Sequence, residues 1–211
     1  MPYLYEIFCG TKSIGKIFEA NGWRVTSVDK DPRFDPTICC DIQDLTPQML
    51  LEASGAVPDA IWMSPPCQMY SIARSNAKTP RDMEGSDRIV EAALAIARYF
   101  GCPFWMENPH SGYLKRRAVV AGIPMRVLDY CQYAVGTDFQ GRYRKRTAIW
   151  TNTEWYPARP LCLPSSCRFC SNGKRHDAST DSVGLFVRYS IPSSIAQELC
   201  EWLAPVSIVS L

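Results

Sequence analysis

Short apolar segments alternate along the chain with segments that show the apolar spacing of a helix. The predicted strands cover residues 3–8, 23–28, 37–40, 60–63, 102–106, 125–129 and 147–150. Helices are predicted from Ile14, from Pro47, over 87–100 and over 195–203, where apolar residues recur every three to four positions. Strands that alternate with helices form right-handed βαβ units. The sequence therefore predicts an α/β fold in which a mostly parallel sheet carries helices on both faces.

Size and composition indicate one soluble domain, or one soluble domain with a small insert. The chain has 211 residues, of which 46% are hydrophobic, and this is enough to bury a proper core. No apolar stretch reaches the length of a membrane span and the first residues do not resemble a signal peptide, so we expect a cytoplasmic protein. The ten cysteines are then expected to be thiols, metal ligands or, as for Cys131, core residues. A formal charge of +2 gives no argument for a polyanionic partner.

Residues 64–68, Ser-Pro-Pro-Cys-Gln, follow the apolar strand at 60–63. The two prolines fix φ and remove two backbone donors, which makes the loop stiff before any ligand binds. In an open α/β sheet, ligands bind beyond the carboxyl ends of the strands, so Cys67 is expected to face a cleft. A single thiol on a stiff turn suits covalent catalysis by cysteine. The alternative is a proline-rich turn that carries a buried, unreactive cysteine.

The loop between the first strand and the first helix contains Gly10 and Gly15. Glycine lets the backbone approach a ligand closely, and a helix start offers free N–H groups. The glycine spacing differs from the dinucleotide fingerprint and from the lysine-bearing phosphate loop. Asp29 ends the second strand, where a carboxylate can accept ribose hydroxyls, and Asp41 ends the third, where it can meet an adenine amino group. A nucleoside cofactor without a pyrophosphate, such as S-adenosylmethionine, fits best; the alternative is that these are turn and cap residues.

Residues 158–184 are rich in Pro, Ser, Cys and Arg, unlike the segments on either side. Within them, Cys162, Cys167, Cys170 and His176 follow the spacing Cys-x4-Cys-x2-Cys-x5-His. Three thiolates and an imidazole suit tetrahedral Zn²⁺, and the short spacings resemble a zinc knuckle. So short a segment cannot fold by a core of its own, and a structural zinc ion would supply the folding energy. The alternative is a loop whose cysteines are incidental.

Five motifs, in order along most of the chain, resemble those of the cytosine-C5 methyltransferases. They are Glu6-x-Phe8-x-Gly10-x4-Gly15 for the cofactor, Pro66-Cys67-Gln68 for the catalytic cysteine, Glu107-Asn108 for the glutamate, Arg144-x-Arg146 for the paired arginines and 188–196 for the last motif. The large target-recognition region between the last two motifs is missing, so the chain resembles the compact members found in phages and large viruses. This divides it into a catalytic core at 1–157, the insert at 158–184, and a C-terminal segment at 185–211 that returns to the core.

The resemblance implies a Rossmann-like, S-adenosylmethionine-dependent methyltransferase. Cys67 would add to carbon 6 of cytosine as a thiolate, while Glu107 would hold N3 and the exocyclic amine. Asn108 would order the loop that carries Cys67. Arg144 and Arg146 would hold the O2 of the base or a phosphate. The implied cofactor residues are Phe8, Cys9, Gly10, Thr11, Ser13, Gly15, Asp29, Lys30, Asp41, Ile42 and Pro65.

DNA is the expected substrate, and RNA or a free deoxycytidine nucleotide is the alternative, because the pocket residues read only the base. Since the recognition element is so small, we expect a short or loosely defined target sequence. A second hypothesis is a non-catalytic, methyltransferase-like protein that binds nucleic acid. It is suggested by five positions that depart from the family motifs: Lys12, Ser13, Arg142, Arg188 and Tyr189. The presence of both Cys67 and Glu107 favours the enzyme, since a binding protein needs neither.

Overall fold

The computed structural model describes residues 1–135, 143–178 and 184–204. Arg142, and the parts of the predicted insert and C-terminal segment at 179–183 and 205–211, lie outside the described residues. The strands are β1 (Tyr3–Ile7), β2 (Arg24–Asp29), β3 (Ile38–Cys39), β4 (Ala60–Met63), β5 (Phe104–Pro109), β6 (Met125–Asp129) and β7 (Arg146–Thr151). The helices are α1 (Gly15–Ala20), α2 (Pro47–Ser54), α3 (Met83–Phe100), α4 (Tyr130–Tyr133), α5 (Leu185–Tyr189) and α6 (Ser193–Leu203). None of the described helices combines the length and apolar character of a membrane span.

The seven strands of the described chain form one sheet in the order β3-β2-β1-β4-β5-β7-β6. The first five strands are mutually parallel, whereas β7 runs antiparallel between β5 and β6. The predicted mostly parallel sheet is therefore confirmed. Because β1, β2, β4 and β5 are parallel, their carboxyl ends share one edge of the sheet. The antiparallel β7 begins at this same edge, where Thr147 pairs with Pro109.

Helices cover both faces of the sheet, as predicted. Alternate residues of a strand point to opposite faces. Ile61 of β4 therefore packs with Leu50 of α2 and Val90 of α3 on one face. Trp62, the next residue, packs with Phe18 of α1 and with α6 on the other face. The two apolar layers are what hold the shared carboxyl edge in place.

Some element boundaries differ from the prediction for local reasons. α3 begins at Met83, earlier than predicted, because the carboxylate of Asp82 accepts the N–H of Gly85 at 2.7 Å and caps the helix. β5 begins at Phe104 and continues to Pro109, since pairing with the antiparallel β7 extends it. The short helices α4 and α5 were not predicted.

Candidate active site

A cleft of about 1130 Å³ opens at the shared carboxyl edge of the sheet. All four residues predicted to be catalytic line it: Cys67, Glu107, Arg144 and Arg146. The predicted cofactor residues in its wall are Phe8, Cys9, Gly10, Ser13, Asp29, Lys30, Asp41, Ile42 and Pro65. Residues that are far apart in the sequence thus meet in one cavity at the edge where α/β sheets bind ligands.

Two predicted cofactor residues, Thr11 and Gly15, are not in the wall of this cleft as described. The Thr11 hydroxyl is hydrogen-bonded to Ser190, 3.2 Å away. Gly15 packs against Glu6, where a Cβ would lie 2.5 Å from Oε2. Glu6, which is buried, accepts the N–H of Ile14 on Oε1 at 3.2 Å, and burial raises its pKa from 4.5 to about 7. Gly15 therefore allows the start of α1 to close on a buried carboxyl group, and this explains its place in the motif without cofactor contact.

The loop that carries Cys67 is fastened to the neighbouring strand. Asn108, fully buried in β5, donates from Nδ2 to the carbonyl oxygen of Pro65 at 2.9 Å. At the end of β4, Trp62 Nε1 donates to Ser64 Oγ at 2.8 Å. These bonds hold the backbone immediately before Cys67, which supports the ordering role expected for Asn108.

The chain that follows Cys67 is anchored as well. The N–H of Tyr70 donates to the Cys67 carbonyl at 3.1 Å, and the Tyr70 hydroxyl donates to Asp87 of α3 at 2.8 Å. The guanidinium of Arg117 donates two bonds to Asp87 Oδ2, at 2.9 and 2.6 Å. Cys67 is therefore held from both sides, and the site is organised before a ligand enters.

The environment of Cys67 opposes its ionisation. Burial raises the pKa of its thiol, the carboxylate of Glu107 raises it further, and the ammonium of Lys145 lowers it. The thiolate is the reactive form of cysteine. The thiol is thus mostly protonated at neutral pH, and Lys145 is the neighbouring side chain that favours its ionisation.

Glu107 has two partners that the sequence analysis did not predict, Lys145 and Tyr130. Lys145 Nζ lies 3.4 Å from Glu107 Oε1, and the buried Tyr130 hydroxyl donates to the same oxygen at 3.2 Å. Lys145 Nζ also lies 3.4 Å from the Tyr130 hydroxyl oxygen and 4.6 Å from its ring centroid. Lys145 lies between the two arginines of the paired-arginine motif, and this position was the one feature of the sequence that could have indicated a role in the site. No motif contains Tyr130.

Arg144 and Arg146 line the cleft but pair with a buried carboxylate. Arg146 donates to Asp129 from Nε at 3.0 Å and from Nη2 at 2.8 Å, and Arg144 Nε lies 3.5 Å away. Burial raises the pKa of Asp129, but hydrogen bonds from Arg146 and from the Cys162 N–H more than offset this and leave it below its usual value. A guanidinium has five N–H donors, so each arginine retains donors for a base or a phosphate.

The loop after β1 is held by Asp29. Asp29 Oδ2 accepts the N–H of Gly10 at 3.0 Å, and Oδ1 accepts the N–H of Asp31 at 2.9 Å. A carboxylate has about four lone-pair sites, so room remains for ribose hydroxyls. Phe8 in this loop has φ of 59°, which is rare for an aromatic residue. Backbone strain of this kind concentrates at ligand sites.

The next part of the wall combines a charged pair with apolar surface. Asp41 Oδ2 lies 3.6 Å from Lys30 Nζ, and Oδ1 accepts the N–H of Gln43 at 3.1 Å. Ile42 and Pro65 supply apolar surface beside them. Carboxylates that can accept from ribose hydroxyls and from the adenine amine, next to apolar surface for the purine, fit the adenosine part of S-adenosylmethionine.

A second group of functional side chains includes part of the predicted insert. The ligand atoms of Cys131, Cys162, Cys167 and His176 all lie within 4.8 Å of one another. Three of the four predicted metal ligands are therefore brought together. Cys170 is buried in the same cluster of cysteines but is not a member of this four-atom group, and Cys131, which was expected to be a core residue, takes its place.

The strand order, the antiparallel β7 and the cleft at the carboxyl edge define a Rossmann-like methyltransferase fold. Over nearly its whole length the chain is similar to the "Probable DNA (cytosine-5)-methyltransferase" of Frog virus 3 (isolate Goorha). The two are 28% identical over 225 residues, which cover 94% of this chain and 98% of the relative. The resemblance to compact viral cytosine-C5 methyltransferases is thereby confirmed. No protein-family model matches the chain.

Similar solved structures have low sequence identity to the chain, and the first shows the same fold. A candidate DNA modification methyltransferase encoded within an E. coli prophage matches with a TM-score of 0.53 and 14% identity, over 72% of this chain and 46% of that one. A mutant of Spodoptera frugiperda DNMT2 matches with a TM-score of 0.49 and 17% identity, over 85% of this chain and 54% of that one. The chain spans about half the length of each structure.

Proposed function

We propose that the chain transfers a methyl group from S-adenosylmethionine to carbon 5 of cytosine in DNA. The observation that carries this proposal is that Cys67 and Glu107 line one cleft from the ends of adjacent parallel strands. The hydrogen bond from Asn108 to the Pro65 carbonyl fastens one strand end to the other. The similarity to the Frog virus 3 protein, whose name states this activity, supports it.

Cysteine is needed because carbon 5 of cytosine is a poor nucleophile. When Cys67 Sγ forms a bond to carbon 6, an electron pair of the ring moves to carbon 5. Carbon 5 can then take the electrophilic methyl group that bound S-adenosylmethionine supplies. A base or water in the cleft then takes the carbon 5 proton, the electron pair of that C–H bond forms the double bond between carbons 5 and 6, and Cys67 leaves carbon 6 as the thiolate, which restores the aromatic ring.

Glu107 would hold the opposite edge of the base. Its Oε1 is engaged by Lys145 and Tyr130, and among the described residues no hydrogen bond is made to Oε2. Oε2 is therefore the atom that would meet N3 and the exocyclic amine. Lys145 and Tyr130 can hold or share the proton that the Glu107 carboxyl exchanges with N3. The same ammonium favours the thiolate of Cys67, so one cation serves both groups.

A polynucleotide substrate is favoured by the distribution of arginines. The cleft wall contains arginines from four separate segments, Arg33, Arg74, Arg144 and Arg188. Arginine binds phosphate through paired hydrogen bonds, and phosphate contacts dominate affinity for DNA. A single nucleotide would not need cations so widely spread. Flipping a cytosine out of a duplex costs a few kcal/mol, which backbone contacts would offset.

The test is transfer of a labelled methyl group from S-adenosylmethionine. Duplex DNA, single-stranded DNA, RNA and deoxycytidine monophosphate would be offered separately, and the product would be identified as 5-methylcytosine. We expect label in DNA, none with Cys67→Ser, and normal incorporation with the exposed control Cys39→Ser. Label confined to RNA or to the free nucleotide would contradict the substrate, and turnover by Cys67→Ser would contradict the mechanism.

A covalent adduct separates the enzyme from a binding protein. DNA that contains 5-fluorocytosine has no proton on carbon 5 to lose, so the Cys67 adduct should persist after methyl transfer. We expect the DNA to remain attached to the peptide that contains Cys67, and only when S-adenosylmethionine is present. Tight DNA binding without an adduct would support the non-catalytic alternative.

A further inference from the structure

A cluster of soft ligands lies where the insert meets the catalytic sheet. Cys162, Cys167 and His176 come from the insert, whereas Cys131 comes from α4, directly after β6. We propose that these four side chains bind one Zn²⁺ ion in a closed tetrahedral site, and that this ion joins the insert to the edge of the catalytic sheet. None of these four side chains lines the catalytic cleft.

The distances in the cluster fit a tetrahedral metal ion. His176 Nε2 lies 3.3 Å from Cys167 Sγ and 3.6 Å from Cys162 Sγ. With Zn–S bonds of about 2.3 Å and Zn–N bonds of about 2.0 Å, neighbouring ligand atoms of a tetrahedron lie about 3.5 Å apart. Three sulfurs and one imidazole nitrogen are a donor set typical of structural zinc. His176 therefore stands at tetrahedral spacing from two thiols, and Cys131 Sγ lies within 4.8 Å of all three atoms.

The loop that presents His176 is closed by its own hydrogen bonds. Asn172 Oδ1 accepts the N–H groups of Lys174 and Arg175, each at 2.9 Å. Asp177 Oδ1 accepts the N–H of Ser171 at 3.0 Å and its hydroxyl at 2.6 Å. A metal ion would thus find the imidazole already directed at the thiols, and little ordering would remain to be done.

Cys170 Sγ lies outside the four-atom group, although its thiol contacts that of Cys167. Its N–H donates to the Cys167 carbonyl at 3.0 Å, and its own carbonyl accepts the N–H of Gly173 at 3.0 Å. Its backbone therefore forms the turn between two ligands. The ligand that replaces it, Cys131, belongs to the core, so the ion would cross-link two parts of the chain instead of closing one loop.

The cross-link would lie next to the residues at the rim of the cleft. Asp129, two residues before Cys131, accepts the N–H of Cys162 at 2.9 Å on Oδ2. The same carboxylate holds Arg146 at the start of β7. A metal ion bound to Cys131 and Cys162 would hold the backbone that follows Asp129 and the backbone N–H that donates to its carboxylate. The zinc site would then stabilise the strand start from which Lys145 reaches Glu107.

The experiment measures bound metal in the full chain purified without chelator. We expect one zinc ion per chain by elemental mass spectrometry, complete loss in Cys131→Ser, and full retention in Cys170→Ser. Circular dichroism would be recorded for each variant. If Cys131→Ser does not fold, Cys131→His supplies a replacement ligand, and it should fold and retain the metal.

Cobalt substitution reports the ligands directly. Co²⁺ in place of zinc should give the absorption of a tetrahedral thiolate site, and Cys131→His should lower the thiolate-to-cobalt band by about a third, because two thiolates remain of three. An unchanged band in Cys131→His would overturn the proposal. So would a protein free of zinc and unable to bind Co²⁺, or loss of metal from Cys170→Ser with retention in Cys131→Ser.

Discussion

The ammonium of Lys145 lies 3.4 Å from Oε1 of Glu107. This ion pair is mostly buried, because 16% of the Lys145 side chain and 8% of the Glu107 side chain are exposed. Both members of the pair act on Cys67, because the ammonium lowers the pKa of its thiol and the Glu107 carboxylate raises it. The balance of charge around Cys67 therefore depends on a residue that the family motifs do not mark.

Replacement of Lys145 by methionine should make Cys67 harder to ionise. Loss of the ammonium raises the pKa of the thiol, so the alkaline limb of Cys67 alkylation should move to higher pH. We expect kcat/KM at neutral pH to fall about tenfold, equivalent to roughly 1.4 kcal/mol. Iodoacetamide labelling of the Cys67 peptide as a function of pH measures the shift without turnover. Lys145→Arg keeps the charge and should remain near the wild-type profile; an unshifted Lys145→Met profile would exclude this role.

Loss of the Asn108 amide should loosen the loop that carries Cys67 and thereby slow the reaction of Cys67. Asn108→Ala leaves the Pro65 carbonyl without its bond, which costs about 1–3 kcal/mol. Asn152 is a matched control at the opposite end of β5, because its Nδ2 donates to the Cys102 carbonyl at 3.0 Å. Both variants should lose thermal stability, and only Asn108→Ala should slow adduct formation with 5-fluorocytosine DNA. Equal adduct rates in the two variants would argue against an ordering role.

The buried carboxyl group of Glu6 should make stability depend on pH. Burial raises its pKa from 4.5 to about 7, so the folded protein holds the proton more tightly than the unfolded chain. Its stabilising effect is complete below about pH 4.5 and is lost as the pH rises through about 7. The loss corresponds to about 3 kcal/mol. Urea unfolding between pH 4.5 and 8 should show this slope in wild type and in the exposed control Glu154→Gln. The slope should be flat in Glu6→Gln, and a persistent slope there would assign it to another group.

Gly15→Ala should destabilise the start of α1. The added Cβ would lie 2.5 Å from Glu6 Oε2 and 3.2 Å from Val25 Cγ1, and such overpacking costs about 1–3 kcal/mol. At Gly184, a Cβ meets nothing within 4 Å, so Gly184→Ala is the control. Chemical unfolding of both variants measures the difference, and equal stabilities would show that Glu6 moves aside freely.

Much of the site was predictable from sequence because its parts are local patterns. Strand ends carry Cys67, Glu107 and Asp29, and the alternation of strands and helices places those ends at one edge of the sheet. The two prolines before Cys67 and the Glu107-Asn108 pair are recognisable in the sequence because each motif consists of adjacent residues. The same local reading placed Gly15 with the cofactor, whereas its packing partner is Glu6.

By itself, the sequence determined the order of elements, the parallel sheet and which side chains stand at its carboxyl edge, since these depend on periodicity and chain direction. Only the tertiary structure decided which side chains at this edge contact one another. Because β7 runs antiparallel between β5 and β6, Lys145 lies beside Glu107 and Arg146 pairs with Asp129. The chain that follows β6 places Cys131 close to Cys162. These contacts join segments far apart in the chain, and their specificity comes from packing geometry that no local spacing encodes.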